Sequence, residues 1–247
     1  MVGVLLIGDE VLAASVREAN INVILRRLAE LNHDVSELRI VPDEPERIGS
    51  AARDLLAISD YLITAGGIGP THDDRTIPAL AAAFDARLER HERMLSFLTK
   101  VYGTPLRPAV ARMALLPPDC RLVAADSGRW PILLWRNIVI LPGLPRALAD
   151  KARRLDAILP ARPPRPAAEV FASADESRFA DWLEQLQQQF PEVVIGSYPV
   201  VDAQRFRTRL IVKGAAERAV ARVTEALVTY LRDQDWLVEQ PLPECED

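Results

Sequence analysis

Cysteine is nearly absent: the 247-residue chain has two, Cys120 and Cys245. They lie far apart and match no metal-ligand spacing. That argues against a disulfide framework and a cysteine-built metal centre, and the pair reads as free thiols of a reducing compartment. Positive charge is also short. The 30 Lys and Arg against 35 Asp and Glu leave a net charge of -5, which argues against a broad nucleic-acid or membrane surface. A nucleotide needs only a local pocket and stays open as a ligand. Long apolar runs are missing too. The opening "MVGVLLIGDE" has no basic stretch ahead of it and is too short to cross a bilayer, so it reads as a buried strand. Cytoplasm is the expected location. There is no internal repeat and no coiled coil. Hydrophobic residues, at 49%, are plentiful enough for one large core or two modest ones.

Those hydrophobic residues are arranged in alternating periods. Short apolar runs at 2–7, 35–41, 61–65 and 137–141 read as strands. Between them, 18–31 carries Ile21, Ile24, Leu25, Leu28 and Leu31 at helical spacing, and 77–84, 91–102 and 145–155 read as further helices. "PDEPERI" opens another, with Asp43 as its expected N-cap and Glu46 three residues on. The order predicts an α/β domain with a mostly parallel sheet covered on both faces. Ligands bind such sheets beyond the carboxyl ends of the strands. Gly8-Asp9-Glu10, Pro42-Asp43-Glu44, the loop 66–74 and Pro142-Gly143 all fall at such ends. Residues 1–158 are therefore expected to form this domain. The proline-rich "LPARPPRPAAE" then predicts a stiff connector over 159–168. Residues 169–240 read as β-α-β-β-α-β, a small ferredoxin-like α+β domain, and 241–247 as a frayed tail.

The stretch "ITAGGIGPTHDDRT" carries the chemistry. Gly66, Gly67 and Gly69 let backbone N–H groups converge on an anion, and the next helix adds its positive end. The spacing is neither a dinucleotide fingerprint nor a Walker loop, which needs a Lys-Ser/Thr pair missing here. Turn formation alone would also explain the glycines. Two aspartates, Asp73 and Asp74, stand beside this phosphate loop, and Asp9 and Asp43 reach the same rim. Carboxylates and phosphates share a pocket when a divalent cation lies between them. Asp74, Asp43 and Asp73 are the candidate catalytic acids, and Asp9, Asp43 and Asp74 the candidate metal ligands. Helix capping competes for Asp43, Asp73 and Asp74, and a turn role for Asp9. Glu10 reads as a local salt-bridge or solvent group. Asn20, opening a helix, is either a cap or a ligand contact. His72 reads as a surface group first, and His33 and His91 as ordinary helix-end or surface positions. Arg205, Arg207 and Arg209 alternate as one solvated strand face.

"IGDEVL", "IVPDEPERI", "TAGGIGPTHDDRT" and "LPGLPRAL" stand in the order found in the molybdopterin-binding-like (MoaB/Mog-type) domain. The chain most resembles the amino-terminal domain of eukaryotic FAD synthase and the amino-terminal part of the CinA family. "ASADES" and "FPEVVIGSYP" extend the resemblance past the connector. It implies a three-layer MoaB/Mog-like fold, usually self-associated, here a homodimer or higher homo-oligomer. Mog-type members transfer AMP to molybdopterin, CinA-like members hydrolyse nucleotide pyrophosphates such as ADP-ribose, and the FAD-synthase domain splits FAD to FMN and AMP. The implied cofactors are a divalent metal (Mg, Mn or Co) and potassium, with molybdopterin as the ligand of the alternative activity. Carried over by motif, the phosphate-binding set is Gly66, Gly67, Gly69, Pro70, Thr71, Gly8, Asn20, Pro142 and Gly143. Two departures stand out: "AASVREAN", with Ala14 and Glu18, replaces the glycine and Asp-x-Asn of many relatives, and "ADSGRWPILLWRN" replaces a Gly-Thr-Ala-Pro-Gly segment. The chain reads as a stand-alone form of the first domain. The expected activity is a metal-dependent nucleotide pyrophosphatase acting on FAD or ADP-ribose. The alternatives are a molybdopterin-binding or adenylylating protein and a non-catalytic binding module.

Overall fold

The apolar runs of the first two thirds of the chain become the strands of one sheet. The computed structural model describes residues 1–123, 130–200 and 205–239, and it divides into two units, Met1–Arg162 and Pro163–Asp247. Cys245, the expected tail 241–247 and the early part of "ADSGRWPILLWRN" lie outside the described residues. In the first unit the elements are β1 Val2–Ile7, α1 Asp9–Leu12, α2 Asn20–Glu30, β2 Val35–Val41, α3 Pro45–Ala57, β3 Tyr61–Ala65, α4 Thr76–Ala83, β4 Glu89–Arg90, α5 Glu92–Tyr102, α6 Pro108–Arg112, β5 Leu115–Leu116, β6 Arg121–Val123, β7 Ile132–Trp135, β8 Ile138–Leu141 and α7 Pro145–Ala152.

The main sheet runs β2-β1-β3-β8-β7-β6. Its first four strands are parallel, and β7 and β6 extend it antiparallel. Successive side chains of each strand face opposite sides, so every central strand feeds two cores. Leu5, Leu62, Leu133 and Ile140 meet α3 to α6 on one face. Val4, Leu6, Ile63 and Val139 meet α2 and α7 on the other. That gives the three layers, and it explains why β1, β7 and β8 are apolar throughout rather than alternating. Truncating a fully buried leucine such as Leu5 to alanine costs ~2–5 kcal/mol. The hairpin β6–β7 was not foreseen, because its strands are only three and four residues long.

The second unit holds β9 Ala167–Ala172, α8 Ala180–Gln189, β10 Val193–Pro199, β11 Thr208–Gly214, α9 Glu217–Asp233 and β12 Leu237–Val238. Its antiparallel sheet runs β10-β11-β9-β12, the ferredoxin-like order. Val220, Val223, Leu227 and Leu231 form the buried stripe of α9 against Val170, Leu210 and Val212. Of the three expected strand arginines only Arg209 lies in β11, where it pairs with Glu169 across to β9 rather than standing free.

The connector is shorter than the expected 159–168. Leu159 is fully buried in the first unit and Ala167 already starts β9. The chain before it is stapled to the turn after α2. Arg162 N–H donates to the Leu31 carbonyl at 2.9 Å. Asn32 Nδ2 donates to the Arg162 carbonyl at 2.8 Å, and His33 Nε2 lies 3.0 Å from the Pro160 carbonyl. His33 is thus a buried structural residue, not the surface position its flanks suggested. Among the described residues no helix is long and apolar enough to cross a membrane.

Lys151 on α7 is 2% exposed. Its Nζ donates to the Trp130 carbonyl at 2.8 Å. Burial pushes its pKa down to about 8; Arg154 adds to the shift and Asp150 opposes it. In the unfolded chain the amine keeps its proton to about 10.5, so between these values the unfolded state binds more protons and stability rises with pH. Wild-type protein is expected to gain up to about 1.4 kcal/mol per pH unit from this group above pH 8. Lys151→Met should flatten that slope in denaturant titrations between pH 7.5 and 9. Parallel slopes for the two proteins would show that the ammonium is hydrated.

Candidate functional site

The parallel strands end level with one another. Ile7 pairs with Val41, Leu6 with Ala65, and Ala65 with Leu141. The ladder continues one step into the loops, with Gly8 N–H on the Val41 carbonyl at 3.1 Å and Gly66 N–H on the Leu141 carbonyl at 3.2 Å. Backbones crowd together at this rim. A Cβ on Gly66 would stand 2.1 Å from the Ile7 carbonyl oxygen, and one on Gly143 would stand 3.2 Å from the Gly66 Cα. Gly67 has φ +63°, and a Cβ there would lie 2.4 Å from Thr76 Oγ1. Both central glycines are therefore required by space as well as by conformation.

Thr76 and Asp74 fold the loop that follows. The buried Thr76 hydroxyl donates to the Gly66 carbonyl at 2.8 Å, and its N–H donates to the Gly67 carbonyl at 3.0 Å. Asp74 Oδ1 accepts from Gly69 N–H at 2.6 Å. Its Oδ2 accepts from the N–H and hydroxyl of Thr71 at 2.8 and 2.5 Å. Asp74 neither caps α4 nor stands free, because three donors of its own loop occupy it. Those bonds also take the N–H groups of Gly69 and Thr71 away from any anion. The N–H groups of Gly67 and Ile68 donate to no group among the described residues.

Asp43 is the contrasting carboxylate. It does not cap α3, whose N-cap is Glu44; its Oδ2 instead accepts from the Asp9 N–H at 3.0 Å, joining the loops after β1 and β2. Its pKa is raised, first by burial and then by the charges of Asp9, Glu10 and Asp73, against that one backbone bond. Its other oxygen lies 3.4 Å from where a Gly67 Cβ would stand, so it borders the phosphate loop. Asp73 and His72 are exposed and 3.9 Å apart, while His91 is the N-cap of α5, accepting from Met94 N–H at 3.1 Å.

Asp9, Asp43 and Asp74 do not come together as a preformed metal cage; among the described residues no group of three or more His, Cys, Asp or Glu side chains is placed to hold an ion. The reason is local: Asp9 meets Asp43 through its main chain, and Asp74 is spent on its loop. One carboxylate beside a phosphate cradle does suit a hard cation such as Mg²⁺, which keeps its waters and is shared between few carboxylates and substrate phosphates.

A cleft of about 690 Å³ opens beside the loop. Gly66 to Pro70, Asp74, Pro142, Gly143 and Asn20 line it, with Glu10, Arg17 and Glu18. Asn20 is a clamp, since its Nδ2 donates to the Gly143 carbonyl at 2.7 Å. That orientation leaves Asn20 Oδ1 buried with no partner among the described residues, a loss of ~1–3 kcal/mol for an unmet acceptor. Glu18 caps α2, accepting from the N–H groups of Asn20 and Ile21 at 2.8 and 3.1 Å. Gly8, Asp9, Asp43, Thr71 and Asp73 are not on the cleft wall, whereas Glu10, read as a solvent group, is. Sequence reasoning missed the rest of the wall: Arg17, Val16, Tyr102, Met113, Trp130 and Leu144. No motif marks these residues. Val16, Tyr102 and Leu144 stand out only in the structure, where they are 48, 52 and 68% exposed despite their apolar bulk, whereas Met113 is buried.

Residues 3–159 match the family model described as probable molybdopterin binding domain, and 166–240 match the FAD synthase middle domain. A protein of Thermoplasma acidophilum is 30% identical over 203 residues, 79% of each chain. A Caenorhabditis elegans protein named probable FAD synthase is 26% identical over 257 residues, 93% of this chain and 49% of that one. The chain thus spans about half the length of the FAD synthase relatives it matches. Among solved structures, the Thermoplasma acidophilum protein CinA, titled as of unknown function, covers 64% of this chain and 96% of its own at 29% identity and TM-score 0.59.

The two aspartates should respond oppositely to substitution. Asp43 holds its proton to higher pH in the fold than in the unfolded chain, so its ionisation costs stability as pH rises through the folded value. Asp43→Asn keeps an acceptor for Asp9 N–H and removes that cost, and its thermal midpoint at pH 7 is expected to rise. Asp74→Ala strands three donors and is expected to lower the midpoint by about 2–6 °C. Calorimetric scans showing the reverse order would mean that Asp43 is neutralised by a bound cation.

Proposed function

The chain belongs to the family of probable molybdopterin-binding domains, and from that premise we propose that it is a metal-dependent nucleotide pyrophosphatase that splits FAD or ADP-ribose to release AMP. The observation that carries this reading is the placement of Gly67 and Ile68, whose N–H groups donate to no group among the described residues, beside the buried carboxylate Asp43, whose oxygen lies close to Gly67. The cradle takes the non-bridging oxygens of the adenylate phosphate. Asn20 Oδ1 accepts from a ribose hydroxyl or an amino group of the same ligand. Asp43, whose burial raises its pKa above the ordinary carboxylate value, orients the attacking water and accepts its proton. Water adds to the phosphorus, the bridging P–O bond breaks, and the departing phosphate carries away the electron pair, so FAD and water give FMN and AMP. A divalent cation bound with the substrate would be held by Asp43 and would supply charge neutralisation on the phosphates.

The family description supports a second reading in which the cleft holds a pterin; the activity that goes with it is transfer of AMP from ATP to the pterin's phosphate, with pyrophosphate as the leaving group. Incubation with FAD, ADP-ribose and ATP, with and without Mg²⁺, Mn²⁺ or Co²⁺ in potassium buffer, separates the two. Chromatography is expected to show AMP from FAD or ADP-ribose only when metal is present. Asp43→Asn should lower that turnover about 10²-fold or more, the scale of losing one group that stabilises transition-state charge. No AMP from either dinucleotide, together with molybdopterin-dependent consumption of ATP, would replace the first reading with the second.

Gly67→Val provides the binding control. The added side chain collides with Thr76 Oγ1 and faces Asp43 at the cradle. AMP binding measured by calorimetry with Mg²⁺ present is expected to vanish while a folded protein remains. Retained binding would place the phosphate elsewhere on the rim.

A further inference from the structure

Beside the glycine loop, the cleft wall carries aromatic and apolar side chains as well as Glu10, Arg17 and Glu18, and one of the aromatic residues is held with more care than a solvent-facing surface needs. Trp130 lines the cleft. Its ring is braced edge-on by Phe97, with centroids 5.2 Å apart and planes at 87°. Its carbonyl receives Lys151 Nζ at 2.8 Å and Arg154 Nη2 at 3.4 Å. Lys151 is almost fully buried, and the one hydrogen bond described for it is this one. Its neighbour Asp150 pairs with Arg154 at 2.8 Å and also attracts the ammonium. Burying an ammonium is costly, and the side-chain hydrogen bond described for it goes to the Trp130 carbonyl, whose position the arrangement therefore fixes. Tyr102 and Met113 line the same cleft. Aromatic faces and a thioether are the groups on which flat heteroaromatic rings stack.

We propose that Trp130 is the stacking platform for the planar ring of the ligand, and that Lys151 is a positioning residue that holds this platform beside the phosphate cradle. The ligand class is then a phosphate ester that carries a flat heteroaromatic ring, a flavin, purine or pterin, rather than a bare sugar phosphate. This rests on the cleft being the nucleotide site. It adds that the ring, and not only the phosphate, is selected. With the phosphate fixed at Gly67 and Ile68, the ring has the Trp130 side of the cleft to enter.

The test is equilibrium binding of FMN, AMP and ribose 5-phosphate, with Mg²⁺, to the full chain. Wild-type protein is expected to bind FMN or AMP at least tenfold more tightly than ribose 5-phosphate. Trp130→Ala should weaken the ring-bearing ligands about tenfold to hundredfold, the usual cost of losing one stacking face, and leave ribose 5-phosphate unchanged. Trp130→Phe keeps a ring and should stay within about threefold of wild type. Lys151→Met should copy the ring-selective loss of Trp130→Ala. A purely structural lysine would weaken all three ligands together, which would overturn its positioning role. Equal affinity for all three ligands in the wild type, or no effect of Trp130→Ala, overturns the platform while leaving the pyrophosphatase reading standing. Binding of none of the three overturns both. If Lys151→Met does not fold, Phe97→Ala, which removes the edge-on brace, must show the same selective loss.

Discussion

Everything at this site follows from four parallel strands ending on one level. Because β1, β2, β3 and β8 stop together, their loops leave from the same line and their backbones meet at contact distance. A side chain at position 66 would sit inside the Ile7 carbonyl, so the rim is closed by main chain alone. That crowding leaves glycine as the residue that fits at 66 and 67 and brings Asp43, from a different strand, beside Gly67. Hydrophobic burial on both faces of the sheet supplies the force that keeps the ends in register. The polar site is a by-product of where the apolar strands run out.

Within that frame, two aspartates of the same chemistry are put to opposite uses. Asp74 satisfies three loop donors and stiffens the cradle. Asp43 receives one donor and is surrounded by other acids. The first resembles a structural cap moved into a loop, and the second carries a charge that the fold alone does not neutralise. Such unspent charge is typical of groups whose partner arrives with the ligand. The orphaned Asn20 Oδ1 belongs to the same pattern, since its amide is already oriented by Gly143 and its acceptor is buried without a partner among the described residues.

Much of this architecture was legible in the chain. The unbroken apolar runs of β1, β3 and β8 announce buried parallel strands, and the three-layer order and the small β-α-β-β-α-β unit follow from the alternation of periods. The rim position of the glycine loop and of Asp43 also follows. The division of labour does not, because whether an aspartate caps a helix or ties a loop is decided by distances of tenths of an ångström. Asp43 sits one residue before the α3 cap, and sequence spacing cannot separate those two states. The apolar wall was invisible for another reason: Trp130, Tyr102 and Met113 come from separate elements, and each alone reads as an ordinary core residue. His33 was misread as exposed because the carbonyl that receives it belongs to Pro160, far along the chain.

The staple that joins residues 160–162 to the turn after α2 bears on how the molecule can be divided. A fragment cut at 158, where the regular elements end, would discard the buried Leu159 and leave Leu31, Asn32 and His33 without their partners. The fragment would carry an uncovered hollow at the edge of its second core. Carrying the cut to 162 adds four residues and keeps the seal, so the residues that look like the start of a connector are the last course of masonry in the first unit.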